Sequence, residues 1–137
     1  MGSWRAAHLV RSLGAVVVGF IAWFVVATLG NLVLRAAIPG YTAVETAMTF
    51  TLSMQLGRLA VGLVSSVGAG AVCAAVARFR RWPAWVLAAI LVLMFLPVHY
   101  TLLHKFPLWY HAFFLITLAP AVLVGAWLVP LRADTAG

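Results

Sequence analysis

Four stretches of this chain, residues 12–34, 59–77, 82–103 and 110–129, contain no Lys, Arg, Asp or Glu and run to 23, 19, 22 and 20 residues. A helix rises about 1.5 Å per residue, so each stretch crosses a hydrocarbon core of roughly 30 Å. Inside a bilayer every backbone amide and carbonyl must find a partner in its own segment or a closed sheet, and a helix does so at these lengths. The chain therefore reads as an all-α polytopic membrane four-helix bundle, one transmembrane domain over 1–137. Composition agrees, because 66% of the residues are hydrophobic and 8% charged, against about 25% charged in soluble domains. A soluble globular domain is excluded.

Nine basic residues against two acids, Glu45 and Asp134, leave a net charge of +7. No polar surface remains to engage nucleic acid, so the charge is read as an orientation signal. Arg5, Arg11, Arg78, Arg80, Arg81 and Arg132 fall on one side of the spans, and Arg35, Arg58 and Lys105 on the other. The excess places both termini in the cytoplasm. Arginine in place of lysine, with abundant Ala, Val and Leu, points to a GC-rich bacterial genome and hence to an inner (cytoplasmic) membrane. The first apolar run follows two arginines as a signal peptide does, but a signal core is about 7 to 15 residues, so this run reads as a retained helix.

The links at 78–81 and 104–109 are short enough to make the last three spans successive antiparallel neighbours. Pro83 suits a helix start, whereas Pro97 and Pro120 lie inside the third and fourth spans, where kinks are expected. Trp4, Trp82, Trp85 and Trp127 at one face and Tyr41, Tyr100, Trp109 and Tyr110 at the other form aromatic belts.

The longest connection, residues 35–58, holds the Thr-x-x-Glu form at Thr42 and Glu45, which predicts a reciprocal helix cap. Polar Thr42, Glu45, Thr46, Thr49 and Ser53 then recur on one helical face, and Val44, Ala47, Met48, Leu52 and Leu56 on the other. That pattern predicts an amphipathic outer helical extension before the second span. Nineteen residues separate Arg58 from Arg78, about 30 Å at helical rise. Arg58 is expected at the outer boundary, free to snorkel, with Glu45 the one outer acid able to pair with it. Small residues at every fourth position, Gly62, Ser66, Gly70 and Ala74, with Ser65, Ala69, Cys73 and Ala77 beside them, make the second span a packing hub or a dimer face.

Chemistry concentrates between Pro97 and His111, which holds His99, His104 and His111. His99 and His104 stand about 140° apart around a helix, and no thiolate or nearby carboxylate completes a set, so no metal site is assigned. These histidines read chiefly as belt residues. Asn31, Gln55, Arg58, His99 and Thr101, with His104 and His111 nearby, fall at one depth and predict a polar outward-facing mouth above featureless inner halves. The single cysteine, Cys73, excludes any two-thiol redox centre. No P-loop, HExxH or GxSxG motif occurs, so an enzyme is not expected and no cofactor is implied.

The runs Phe24-Val25-Val26-Ala27-Thr28-Leu29-Gly30-Asn31, Arg58-Leu59 and Phe106-Pro107-Leu108-Trp109-Tyr110-His111 resemble those of small four-helix bacterial inner-membrane proteins. The resemblance covers most of the chain and implies topology, not an activity. The expected function is a non-catalytic accessory or interaction subunit, embedded in lipid and contacting another membrane protein or a second copy of itself through the second span. The alternative is a small-solute or ion transporter using His99, Arg58 and Asn31. The third reading is a haem-binding electron carrier.

Overall fold

The computed structural model describes residues 2–133, so Asp134 lies outside the described residues. The chain is helical throughout: α1 (Gly2–Ala37), α2 (Tyr41–Glu45), α3 (Leu52–Ala77), α4 (Trp82–Thr101) and α5 (Leu108–Leu128). Four of these, α1, α3, α4 and α5, are long and apolar enough to cross a membrane, which is the architecture of a multi-pass membrane protein.

Lipid is as apolar as leucine, so helices associate in it by close packing rather than by hydrophobic burial. α3 supplies that closeness on two faces. Toward α5, Gly70 lies directly against the Val122 carbonyl and Gly125 against the Val67 carbonyl, and a Cβ on Gly62 would stand 2.9 Å from the Phe114 ring. Toward α1, a Cβ on Gly19 would meet Cys73 Cβ at 2.9 Å, and one on Gly30 would meet Val61 at 2.7 Å. Trp23 adds a polar tie by donating its indole N–H to Ser66 Oγ at 3.0 Å, while the Ser66 hydroxyl donates to the Gly62 carbonyl. The small-residue stripe is thus consumed inside the chain, and Ser66, Gly70 and Ala74 are buried there.

Of the two neighbour pairs expected from loop lengths, α4 and α5 pack together, whereas α3 and α4 meet only lightly. α3 packs mainly against α1 and α5 and only lightly against α4, which rests chiefly on α5. The helices run around the bundle as α1, α3, α5, α4, and the ring closes loosely between α4 and α1. The short turn after α3 sits at Arg78, whose φ of 63° is left-handed, and it hands the chain across the bundle. Small residues on both sides of each crossing decide the order: α5 brings Gly125 and α1 brings Gly19 and Gly30 to α3, whereas α4 contains no glycine.

One end of the bundle gathers the arginines. His8 stands between Trp4 and Phe79, with ring centroids 5.9 and 5.7 Å away, and so ties the start of α1 to the turn after α3. Arg81 donates to the Ala126 carbonyl near the end of α5 and covers the Trp127 ring at 4.7 Å. A cation at a helix C-terminus also complements the helix dipole.

The opposite end departs from the expected extension. α2 is a five-residue helix whose N-cap is Gly40 at φ 78°, with no side-chain cap. Thr42 therefore caps nothing, and Glu45 accepts from Arg35 Nε at 2.8 Å instead of capping or pairing with Arg58. Met48 then turns left-handed at φ 54°, and Thr51 caps α3 by accepting from the Met54 N–H. Helical periodicity is broken here because the ends of the segment turn inward: Tyr41 is fully buried, Phe50 nearly so, and their rings pack 5.2 Å apart. Burying two aromatics outweighs a few tenths of a kcal/mol per residue of helix propensity.

Candidate functional site

The loose seam between α1 and α4 opens into a crevice of about 300 Å³ near the histidine-bearing end. Trp23, Phe24, Ala27, Thr28 and Asn31 of α1 form one wall, and Phe95, Val98 and His99 of α4 face them. Arg58 and Gly62 of α3 form the floor, backed by Tyr110 and Phe114 of α5. The glycine matters because its missing side chain admits the Phe114 ring. Trp23 and Phe95, 4.8 Å apart, close the crevice toward the arginine end.

Arg58 sits half-buried in an aromatic box. Its guanidinium carbon lies 4.6 Å from the Phe50 centroid and 5.9 Å from that of Phe106, and Phe106 stacks on Tyr110 at 4.4 Å. Arg58 Nη1 donates to the Tyr41 hydroxyl at 2.9 Å, and that hydroxyl points at Asn31 Oδ1 at 3.5 Å. Aromatic faces favour a cation by about 2 kcal/mol when it is desolvated, and a ring face leaves guanidinium edges free for hydrogen bonds. One edge is unused: Arg58 Nε is buried without a partner. Glu45 is engaged by Arg35, so Arg58 has no carboxylate partner among the described residues.

Behind the crevice wall, His99 and His111 are both buried, with Nδ1 atoms 2.7 Å apart. One Nδ1 must carry the proton and the other accept it, so the rings adopt opposite tautomers about this bond. Nitrogens bound to one metal at about 2.0–2.1 Å stand farther apart than this, so the pair as placed is a hydrogen bond and not a ligand set. Among the described residues no three His, Cys, Asp or Glu side chains group to hold a metal ion. His111 Nε2 is buried with no partner. Replacing either histidine alone by Leu is expected to strand the other's Nδ1 in an apolar site, whereas the double replacement removes both polar groups. A double-mutant cycle on thermal melting should return a coupling of about 1–2 kcal/mol, with the double variant less destabilised than the sum.

The residues expected at the polar mouth separate into two groups. Asn31, Arg58 and His99 converge on the crevice, with His111 directly behind. Gln55 instead donates to the Phe50 carbonyl at 3.3 Å, Thr101 is exposed and donates to the Val98 carbonyl, and His104 is exposed. The belt also divides. Trp4, Trp82, Trp85 and Trp127 at one end and Tyr100 and Trp109 at the other are exposed, but Tyr41 and Tyr110 turn inward as walls around Arg58. The box that Tyr41, Phe50 and Phe106 form around Arg58 escaped sequence reasoning because no periodicity links two residues of the first connection with one of the last. Their one signal was an aromatic beside Pro39-Gly40 and another beside Pro107, where a turn can aim a ring back into the bundle. No family of proteins, no curated protein and no solved structure matches this chain.

Proposed function

We propose that this chain is a small integral protein of the bacterial inner membrane, with both termini cytoplasmic, that works without catalysis as a ligand-binding accessory subunit. The outward-facing crevice holds a small molecule rich in hydrogen-bond acceptors. The observation that carries this reading is Arg58, a half-buried cation with no carboxylate partner among the described residues and a place in the crevice lining. Orientation rests on the arginines gathered at one end.

Binding is favoured over passage because the half of the bundle beyond Trp23 and Phe95 is closed. There Ala69, Cys73, Leu87, Leu91 and Val122 pack without exposure. The crevice lining carries neither a carboxylate nor a thiol, since Glu45 is held by Arg35 and Cys73 is inside that apolar core, and the Nδ1 of its one imidazole, His99, is engaged with His111. The small stripe of α3 is spent within the bundle, so any contact with another membrane protein or a second copy uses other faces, of which the long apolar exterior of α1 is the largest.

Native mass spectrometry on protein released gently from its own membranes tests both parts. The expected spectrum contains a bound small molecule that is absent from an Arg58→Gln preparation, together with a partner subunit or a second copy. A spectrum of bare monomer for both preparations overturns the reading.

A further inference from the structure

The crevice does not end at its own rim. Phe24 and Thr28, both exposed on α1, also border a shallow open groove on the face of that helix, between the side chains of Phe20, Ile21, Val25 and Leu29. The groove runs along the outer face of α1 and is apolar apart from the Thr28 hydroxyl. A cavity with a cationic floor therefore continues, through a shared edge, into an apolar track that faces the membrane interior.

We propose that the crevice takes a single-chain amphiphile with an anionic head, entering sideways from the bilayer between α1 and α4. This rests on the reading of the crevice as a binding site and adds the class of ligand. The head, a carboxylate or a phosphate monoester, accepts from the Arg58 guanidinium, with Asn31 and His99 within the same lining. Its charge supplies the counterion that Arg58 lacks. The chain leaves past Phe24 and Thr28 and lies along the α1 face, against Phe20, Ile21, Val25 and Leu29. A wholly polar solute would use the floor and waste the groove, and a neutral hydrocarbon would use the groove and leave a desolvated cation uncompensated. Only a molecule with both parts matches both walls. Lateral entry rests on the position of the crevice itself, which lies between α1 and α4 on one side of the contact of Trp23 with Phe95.

The test uses the full chain in nanodiscs of zwitterionic phosphatidylcholine, titrated with dibrominated stearate, whose bromines quench nearby tryptophan emission. Trp23 lies in the crevice wall. Wild type should show saturable quenching that oleate or a lysophosphatidate reverses, the more effective of the two identifying the head. Arg58→Gln should bind about tenfold more weakly, the loss of one charge-assisted contact. Thr28→Phe, at an exposed position that spares the fold, should block the junction and weaken binding similarly, with circular dichroism showing helix content unchanged. Quenching that is linear and equal in all three proteins means partition into lipid alone and overturns the proposal. Displacement by butyrate or inorganic phosphate as effective as by oleate overturns the tail while leaving an anion-binding crevice. Absence of any saturable binding by stearate, butyrate and phosphate overturns the crevice reading as well.

Discussion

Gly70→Leu and Gly125→Leu are each expected to prevent α3 and α5 from docking. At both positions a Cβ would occupy the place of a backbone carbonyl on the facing helix, Val122 for Gly70 and Val67 for Gly125. A flexible side chain can rotate away from an added methyl, but a helix carbonyl can move only with its helix. Overpacking in a well-filled core costs about 1–3 kcal/mol, and displacing backbone on both sides of the closest crossing puts these variants at or beyond about 3 kcal/mol. In membranes the loss is not recovered by burying the added leucine, because lipid already solvates it. Thermal melting followed by size-exclusion chromatography should show aggregated or strongly destabilised protein. Gly68→Ala is the control. Its new methyl would meet only Val26 Cγ2, at 3.7 Å, and replacing a helical glycine by alanine favours the helix by roughly 0.5–1 kcal/mol. Equal melting of Gly70→Leu and Gly68→Ala would show that the crossing is looser than described.

Arg58→Glu should be the most damaging change at the crevice. It removes the cation from between Phe50 and Phe106, breaks the hydrogen bond to Tyr41, and sets a carboxylate against ring faces that repel it. The nearest engaged cation, Arg35, already holds Glu45. Loss of the favourable cation–ring contact and burial of an uncompensated charge together suggest about 3 kcal/mol. Arg58→Gln, neutral and still able to donate to Tyr41, should cost about 1 kcal/mol. The order of melting temperatures, wild type above Gln above Glu, checks the box; equal loss for Gln and Glu would mean that Arg58 projects into water rather than against the rings.

Much of the bundle was legible before any coordinates. Runs of uncharged, apolar residues long enough to span a bilayer leave the backbone one economical solution, so the four long helices follow from local composition. The polar mouth was partly legible for the same reason, since Asn31, Arg58 and His99 sit at equal depth once helical rise is counted. Equal depth is not convergence, however. Gln55 and Thr101 share that depth and spend their polar atoms on nearby carbonyls instead. His111 shows the converse, a residue assigned to the belt that burial and a facing imidazole at 2.7 Å turn into an internal partner.

The capping motif at Thr42 and Glu45 failed for an instructive reason. A local signal holds only when nothing distant competes, and here Arg35 claimed the carboxylate while burial of Tyr41 and Phe50 bent the segment inward. Loop length misled in a related way. A four-residue link limits how far apart helix ends can be, but not which helices press together along their length.

The apolar spans and their interrupting charges, taken alone, determined that this is a helical chain for a bilayer with its cations weighted to one side, because backbone hydrogen bonding in lipid admits no other open structure. Only the tertiary structure decided that α3 spends its small residues on α1 and α5, leaving α4 against a loose seam. That choice was made by shape: glycines on both sides of a crossing admit a facing backbone, and α4 brings none. From that packing follows the crevice between α1 and α4, while the aromatic box around Arg58 comes from the connections that turn Tyr41, Phe50 and Phe106 inward.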